Sequence, residues 1–214
     1  MVKHIEKMTA REQQAEKTYL GMLDVVERRT HQQVVFAILG LVGSGKSTLA
    51  RKLSLGIGAT VIEGDVIRIE LSKVGERYEG TRKIAEDAMM DVLRREGNVI
   101  LDSDHIDSKK RASIRAKVKK TNARLEFIRT HCAFPMMIKR IREAEYTVDG
   151  FFKDADTKIV EMHRRTPQHY DWFNEGGGAW LLKKLPFITT DIDTTDEKQF
   201  DAQVAKLVRV LAGL

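Results

Sequence analysis

Apolar residues recur at two different periods along the chain, and the alternation between those periods lays out a fold. Between residues 5 and 29, Ile5, Met8, Ala15, Tyr19, Met22, Leu23 and Val26 return every three or four positions with charges between them. That spacing predicts an amphipathic helix. An unbroken apolar run follows, Val34-Val35-Phe36-Ala37-Ile38-Leu39, closed by Gly40. It reads as a strand covered on both faces, as in a parallel sheet. Further helices are predicted over 46–55, 66–73, 81–96, 108–121 and 135–146, with strands at 60–63, 98–102 and 124–132 among them. A last strand at 186–192 precedes a helix whose start sets Thr194 and Glu197 at capping-box spacing. Phe200, Val204, Leu207, Val208 and Leu211 form its apolar stripe. The alternation predicts an α/β fold with a parallel sheet between two layers of helices.

Residues 147–178 break the rhythm. A helix fits near 154–165, Pro167 ends it, and Gly176-Gly177-Gly178 follows. In and beside this stretch stand Tyr146, Phe151, Phe152, Tyr170, Trp172, Phe173 and Trp180, seven of the chain's fourteen aromatics. Such a segment predicts an insert laid over a site, with its aromatics forming a small core of their own or stacking on a ligand.

Composition narrows the picture without naming a function. At 214 residues and 42% hydrophobic, the chain suits one α/β domain, expected to span 1–214. Its net charge of +6 suits anionic ligands. A single cysteine, Cys132, excludes an internal disulfide and a cysteine zinc site. The polar opening residues carry no signal-like apolar segment, and no run approaches a membrane span. A soluble cytoplasmic protein is expected.

The chemistry starts at Gly40. Gly40-Leu41-Val42-Gly43-Ser44-Gly45-Lys46-Ser47 fits G-x-x-x-x-G-K-S, with a strand before it and a helix after it. Glycines there let successive N–H groups face phosphate oxygens, and the helix adds its positive end. Gly40, Gly43, Ser44, Gly45, Lys46, Ser47 and Thr48 are thus the expected nucleotide-binding residues. Lys46 would reach the β- and γ-phosphates of ATP, and the Ser47 hydroxyl would hold Mg²⁺.

A phosphate loop specifies a nucleotide rather than a reaction. The chain has no Asn/Thr-Lys-x-Asp guanine signature. Strand 98–102 ends in Asp102, a candidate metal carboxylate, but Ser103 follows where motor ATPases commonly place a water-activating Glu. Asp65 follows strand 60–63 directly after Gly64 and should face the same crevice, since ligands of open α/β sheets sit at the carboxyl ends of strands. Asp65 could take the proton of an attacking hydroxyl, and Arg68 one turn on could grip an anionic acceptor. Asp65 could equally cap the helix that follows.

Gly43–Leu53, Asp65–Arg68 and Asn98–Arg111 together resemble the P-loop kinases related to polynucleotide 5′-kinase and zeta toxin, over about residues 34–145. The resemblance implies a three-layer P-loop NTPase fold, a five-stranded sheet of order 2-3-1-4-5, and a helical lid that donates an arginine. It implies that Asp65 is the general base and Arg68 the acceptor-phosphate contact. Arg111 falls where those kinases also place an arginine. They have Asp, a small residue and then Asn or Thr after the third strand. This chain has Asp102-Ser103-Asp104, so Asp102 and Asp104 both stay in play for the metal.

For the lid cation the order of expectation is Arg140, Arg164, Arg142, Arg165. Helix 108–121, with Arg111 and Arg115 on one face, could track a polyanion or be a solvated surface. The expectation is an ATP- and Mg²⁺-dependent kinase acting on a hydroxyl of a nucleic acid, a nucleotide or a small metabolite. The alternative is a P-loop ATPase acting as a switch that binds RNA or a protein.

Overall fold

The structure, a computed structural model, describes residues 8–147, 150, 152–168, 170–174, 178–183 and 187–213; within these, the side chains of Arg165 and Gln168 lie outside the description. Residues 5–7, Phe151, Gly176, Gly177 and Pro186 also fall outside it.

The chain opens with α1 (Ala10–Gly21), started by a capping box in which Thr9 and Glu12 satisfy each other's backbone N–H. Then come β1 (Val34–Leu39), α2 (Lys46–Ile57), β2 (Ala59–Glu63), α3 (Gly64–Lys73), α4 (Thr81–Arg94), β3 (Asn98–Asp102), α5 (Ser108–Val118) and β4 (Arg124–His131). The second half holds α6 (Phe134–Glu143), α7 (Ala155–Arg165), β5 (Tyr170–Phe173), β6 (Ala179–Leu182), β7 (Thr190–Asp193) and α8 (Glu197–Ala212).

Five parallel strands form one sheet in the order β2-β3-β1-β4-β7, so the expected 2-3-1-4-5 arrangement holds with β7 as its fifth member. β1 lies at the centre and every one of its residues is buried, as its unbroken apolar run requires. One face packs on α1, α3, α4 and α5 through Tyr19, Ile67, Leu71, Met89 and Ile114. The other packs on α2 and α8 through Leu49, Leu53, Phe200 and Val204. This is the three-layer α/β architecture of the P-loop fold.

Most boundaries fall within three residues of the sequence pattern, and three departures from it stand out. α1 stops at Gly21 rather than 29, because residues 22–29 run irregularly along the sheet edge. There the Val26 N–H donates to Thr60 Oγ1 at 3.0 Å and the Arg29 N–H to the Ile57 carbonyl at 2.8 Å. Met22, Leu23 and Val26 kept a helical spacing while the backbone found partners in β2. The last strand begins at Thr190 rather than 186. α8 is capped by Asp196, which accepts from the Gln199 N–H at 2.8 Å. Thr194 is instead buried under the glycine-rich loop, so the capping-box expectation fails because its hydroxyl is spent elsewhere.

The insert stays out of the main sheet, as expected, and adds a hairpin the pattern did not predict: β5 and β6 pair antiparallel. Phe134–Trp172 and Trp172–Trp180 meet edge to face at 4.8 and 5.1 Å between ring centres. These rings pack on one another, the arrangement aromatic quadrupoles prefer. A third apolar cluster of Cys132, Met137, Ile141 and Met162 seats α6 and α7 against Leu41 and Val42.

Candidate nucleotide and acceptor site

The loop between β1 and α2 is held from two sides. Ser44 Oγ meets Thr130 Oγ1 of β4 at 2.8 Å. Thr194 Oγ1, just after β7, donates to the Ser44 carbonyl at 3.0 Å. Gly40, Gly43 and Gly45 all have positive φ. Gly45 caps α2 at φ +88° with no side-chain cap. The first-turn N–H groups of α2 are therefore left for an anion, and the helix end is positive. Lys46 Nζ folds back onto the carbonyls of Gly40 and Leu41 at 2.8 and 2.9 Å. Ser47 and Thr48 are exposed at the helix start.

Arg140 of α6 reaches the same loop. Its guanidinium donates to Thr194 Oγ1 at 2.8 Å, to the Thr194 carbonyl, and to the Gly43 carbonyl at 3.5 Å. It ties the phosphate loop to the segment entering α8.

Carboxylates gather at the ends of β2 and β3. Glu63 and Asp102 are partners in the parallel ladder. Asp102 follows Ile100 by two positions and so shares its face, the one packed on α2, where Ser47 begins the helix. Burial pushes the Glu63 carboxyl above its ordinary range, and the nearby Asp102 and Asp65 charges push the same way. Asp65 stands in the first turn of α3 and is not its cap, since Glu63 occupies the N-cap position. Its side chain is 64% exposed and accepts from Arg68 Nη1, which leaves it accessible to a ligand.

Asp104 stands elsewhere. It lies beyond the end of β3, with one carboxylate oxygen buried and without a hydrogen-bond partner among the described residues. It is in the field of Lys110 and of Tyr170 in the hairpin. Burial lowers the Lys110 ammonium, and Arg68 and Arg82 push it down further.

The remaining cations divide sharply. Arg111 donates to the carbonyls of His105 and Ile106 and lies over the Phe187 ring at 3.7 Å. Arg115 lies over Phe127 at 4.8 Å. Both are spent on carbonyls or rings of the fold itself. Arg164 is exposed and bonded bidentately to Glu161 at 2.8 and 2.7 Å. Arg142 is exposed as well.

Lys158 was not singled out by the sequence, yet among the α7 side chains described it is the cation that turns inward. It is partly buried, with Nζ 5.4 Å from the Tyr146 ring centre and 5.5 Å from that of Phe152. It feels both Asp65 and Lys46. A usable signal existed: Lys158 sits three residues after Ala155 and four before Met162, on the apolar face of its helix.

The residues fit a hard cation. A hydroxyl at Ser47 and a carboxylate at Asp102 are oxygen donors of the kind Mg²⁺ takes alongside phosphate oxygens. Among the described residues no group of three or more His, Cys, Asp or Glu could hold a metal alone. Among them also, no helix is long and apolar enough to cross a membrane.

Sheet order, glycine loop and strand-end carboxylate together define a P-loop nucleotide-binding protein. The chain belongs to the AAA domain family, whose match runs over residues 35–164. Among curated proteins none matches it. Its fold is that of small kinases. An APS kinase from Mycobacterium tuberculosis, solved with AMPPNP and APS, superposes with a TM-score of 0.54 at 15% identity, covering 84% of this chain and 98% of that one. The tunicamycin resistance protein of Deinococcus radiodurans gives 0.52 at 14%, covering 86% and 97%. A putative kinase from Chloroflexus aurantiacus gives 0.50 at 16%, covering 85% and 97%.

Proposed function

We propose that the protein is a kinase that moves the γ-phosphoryl group of ATP to a hydroxyl of a small acceptor. The observation that carries this reading is Asp65, an accessible carboxylate just past the carboxyl end of β2, at the same end of the parallel sheet as the phosphate loop, with Ser103 rather than glutamate after Asp102. A carboxylate so placed suits an acceptor hydroxyl better than a water. The neighbour solved with AMPPNP and APS supports the same reading.

In this mechanism Lys46 swings from the Gly40 and Leu41 carbonyls onto the β- and γ-phosphates, while the α2 N–H groups hold the phosphate oxygens. Ser47 and Asp102 would hold Mg²⁺, which when bound neutralises phosphate charge. Asp65 accepts the acceptor's proton as its oxygen bonds to phosphorus and the bond to the ADP oxygen breaks. Arg68 orients Asp65 and meets an anionic acceptor. Arg140 braces the loop. Because Arg111 is spent on carbonyls and a ring, while the exposed Arg115 also lies over Phe127, the basic face of α5 offers a polymeric acceptor less than its sequence suggests, and a small-molecule acceptor is favoured.

The test is incubation with γ-labelled ATP, Mg²⁺ and a panel of sugars, nucleosides, hydroxy acids and 5′-OH oligonucleotides. Label on a small acceptor, lost in Asp65→Asn, supports the proposal. Label released only as phosphate would favour a nucleotide-dependent switch instead.

A further inference from the structure

Phosphoryl transfer spreads negative charge over the oxygens of the moving group, and a cation closing from a lid is a common way to stabilise it. The resemblance noted above implies an arginine for that task. Of the candidate lid arginines with described side chains, Arg140 is bonded to Thr194 and the Gly43 carbonyl, Arg142 is exposed, and Arg164 faces solvent against Glu161.

Lys158 has the placement they lack. It stands one turn into α7, whose Ala155, Ile159 and Met162 pack on the cluster beneath the phosphate loop. The rings of Tyr146 and Phe152 approach its ammonium at 5.4 and 5.5 Å, a cation–π setting that restricts where the charge can point. The charge lies within electrostatic reach of both Asp65 and Lys46. Two ammonium groups brought together from separate elements repel each other unless an anion lies between them. A phosphoryl group in transit from the loop toward Asp65 would be such an anion.

We infer that Lys158 is a catalytic residue, the lid cation that binds the transferring phosphoryl group opposite Lys46. The inference rests on the kinase reading above. During the step Lys158 gains and loses no proton; its three N–H donors follow the phosphoryl oxygens as the new oxygen–phosphorus bond forms and the bond to ADP breaks. Burial lowers the Lys158 ammonium below its ordinary value, Asp65 opposes this and Lys46 adds to it, and a phosphate placed beside it would favour the charged form.

The experiment measures Mg-ATP affinity, ADP affinity and turnover for the wild type, Lys158→Met, Lys158→Arg and Arg164→Ala, with circular dichroism melts to confirm folding. Turnover counts transfer to an acceptor or, without one, slow ATP hydrolysis. Lys158→Met should lower kcat by about 10²- to 10³-fold while ADP affinity stays within about threefold, and Lys158→Arg should recover much of the loss. An Lys158→Met kcat within about threefold of wild type, or a larger loss in Arg164→Ala, overturns the inference and leaves the kinase reading intact. A wild type that binds no Mg-ATP overturns both. If Lys158→Met does not fold, Lys158→Arg and Lys158→Gln decide by the same criteria.

Discussion

The phosphate-loop half and the lid half of this molecule are built on different principles. In the first, long-range bonds hold the loop in place, as with Ser44 to Thr130, Thr194 to the Ser44 carbonyl, and Arg140 to both loops. In the second, bonds are mostly local: Arg164 to Glu161, Trp172 to Asn174, Tyr146 to the Ile141 carbonyl. Its aromatic core is assembled from its own rings and Phe134. The loop half is preorganised for phosphate, and the lid is a small core of its own that presents, among its described side chains, the inward cation Lys158. Changes to those long-range ties should move binding, turnover and stability together, and changes to the loop's ligand-facing groups should move binding and turnover. Changes in the lid should move turnover alone.

The hardest test of that contrast is Lys46→Met. Its ammonium bonds only the Gly40 and Leu41 carbonyls, so the fold does not need it, yet the nucleotide does. Turnover should fall by at least about 10³-fold with a melting temperature near that of wild type. Retained turnover would remove the loop from the chemistry.

Asp65→Asn should come next. It keeps shape and the Arg68 contact but removes the base, so kcat should fall by about 10²- to 10³-fold with Mg-ATP affinity little changed. A variant that loses nucleotide affinity instead would make Asp65 a loop-half structural group.

A pair of glycine substitutions separates the halves by stability. Gly45 has φ +88°, and an added Cβ would lie 3.1 Å from Thr194 Cγ2 and Oγ1. Gly178 has φ +90°, and its Cβ would meet the Trp172 ring at 2.2 Å. Gly45→Ala should destabilise the whole domain by about 1–3 kcal/mol in urea unfolding. Gly178→Ala should shift tryptophan fluorescence and lower turnover while the global midpoint stays put. One cooperative loss in both variants would show that lid and sheet unfold as one unit.

These halves also differed in how far the sequence disclosed them. The central strands, α2, the glycine loop and the placement of Asp65 and Asp102 were all readable, because each combines a local pattern with a backbone requirement at one spot. The basic face of α5, readable as a polyanion track or a solvated surface, is mixed: Arg115 is exposed, yet its guanidinium and that of Arg111 lie over Phe127 and Phe187, contacts the sequence does not disclose. Thr194 misled in another way, since a capping residue and a loop anchor have the same composition. Lys158 went unread because arginine was sought. Its position on the apolar face of α7 was visible, but a lysine there signals a site only once Asp65 and Lys46 are known to lie opposite. Distances in sequence between such partners carry no trace of the contact.

The smallest expected effect concerns the ends of β4 and β7, where the loop half closes. Asp191 accepts from Arg129 Nε at 2.8 Å and pairs with His131 Nε2 at 3.2 Å. Burial opposes its ionisation, but the hydrogen bonds from His131 and Arg129 prevail and hold its pKa at about 2. A carboxyl depressed in the folded state stabilises the fold fully above the unfolded value near 4, and loses that contribution as pH falls toward about 2. The side chain is 41% exposed, so solvent screening reduces the contribution to about 1 kcal/mol. Asp191→Asn should therefore melt about 2–4 °C below wild type at pH 7, with the gap closing between pH 4 and 2. Glu161→Gln, which breaks the exposed lid pair with Arg164, should move the midpoint at neither pH. An Asp191→Asn gap that persists unchanged at pH 2.5 would mean that packing, rather than charge, joins the last strand to the sheet.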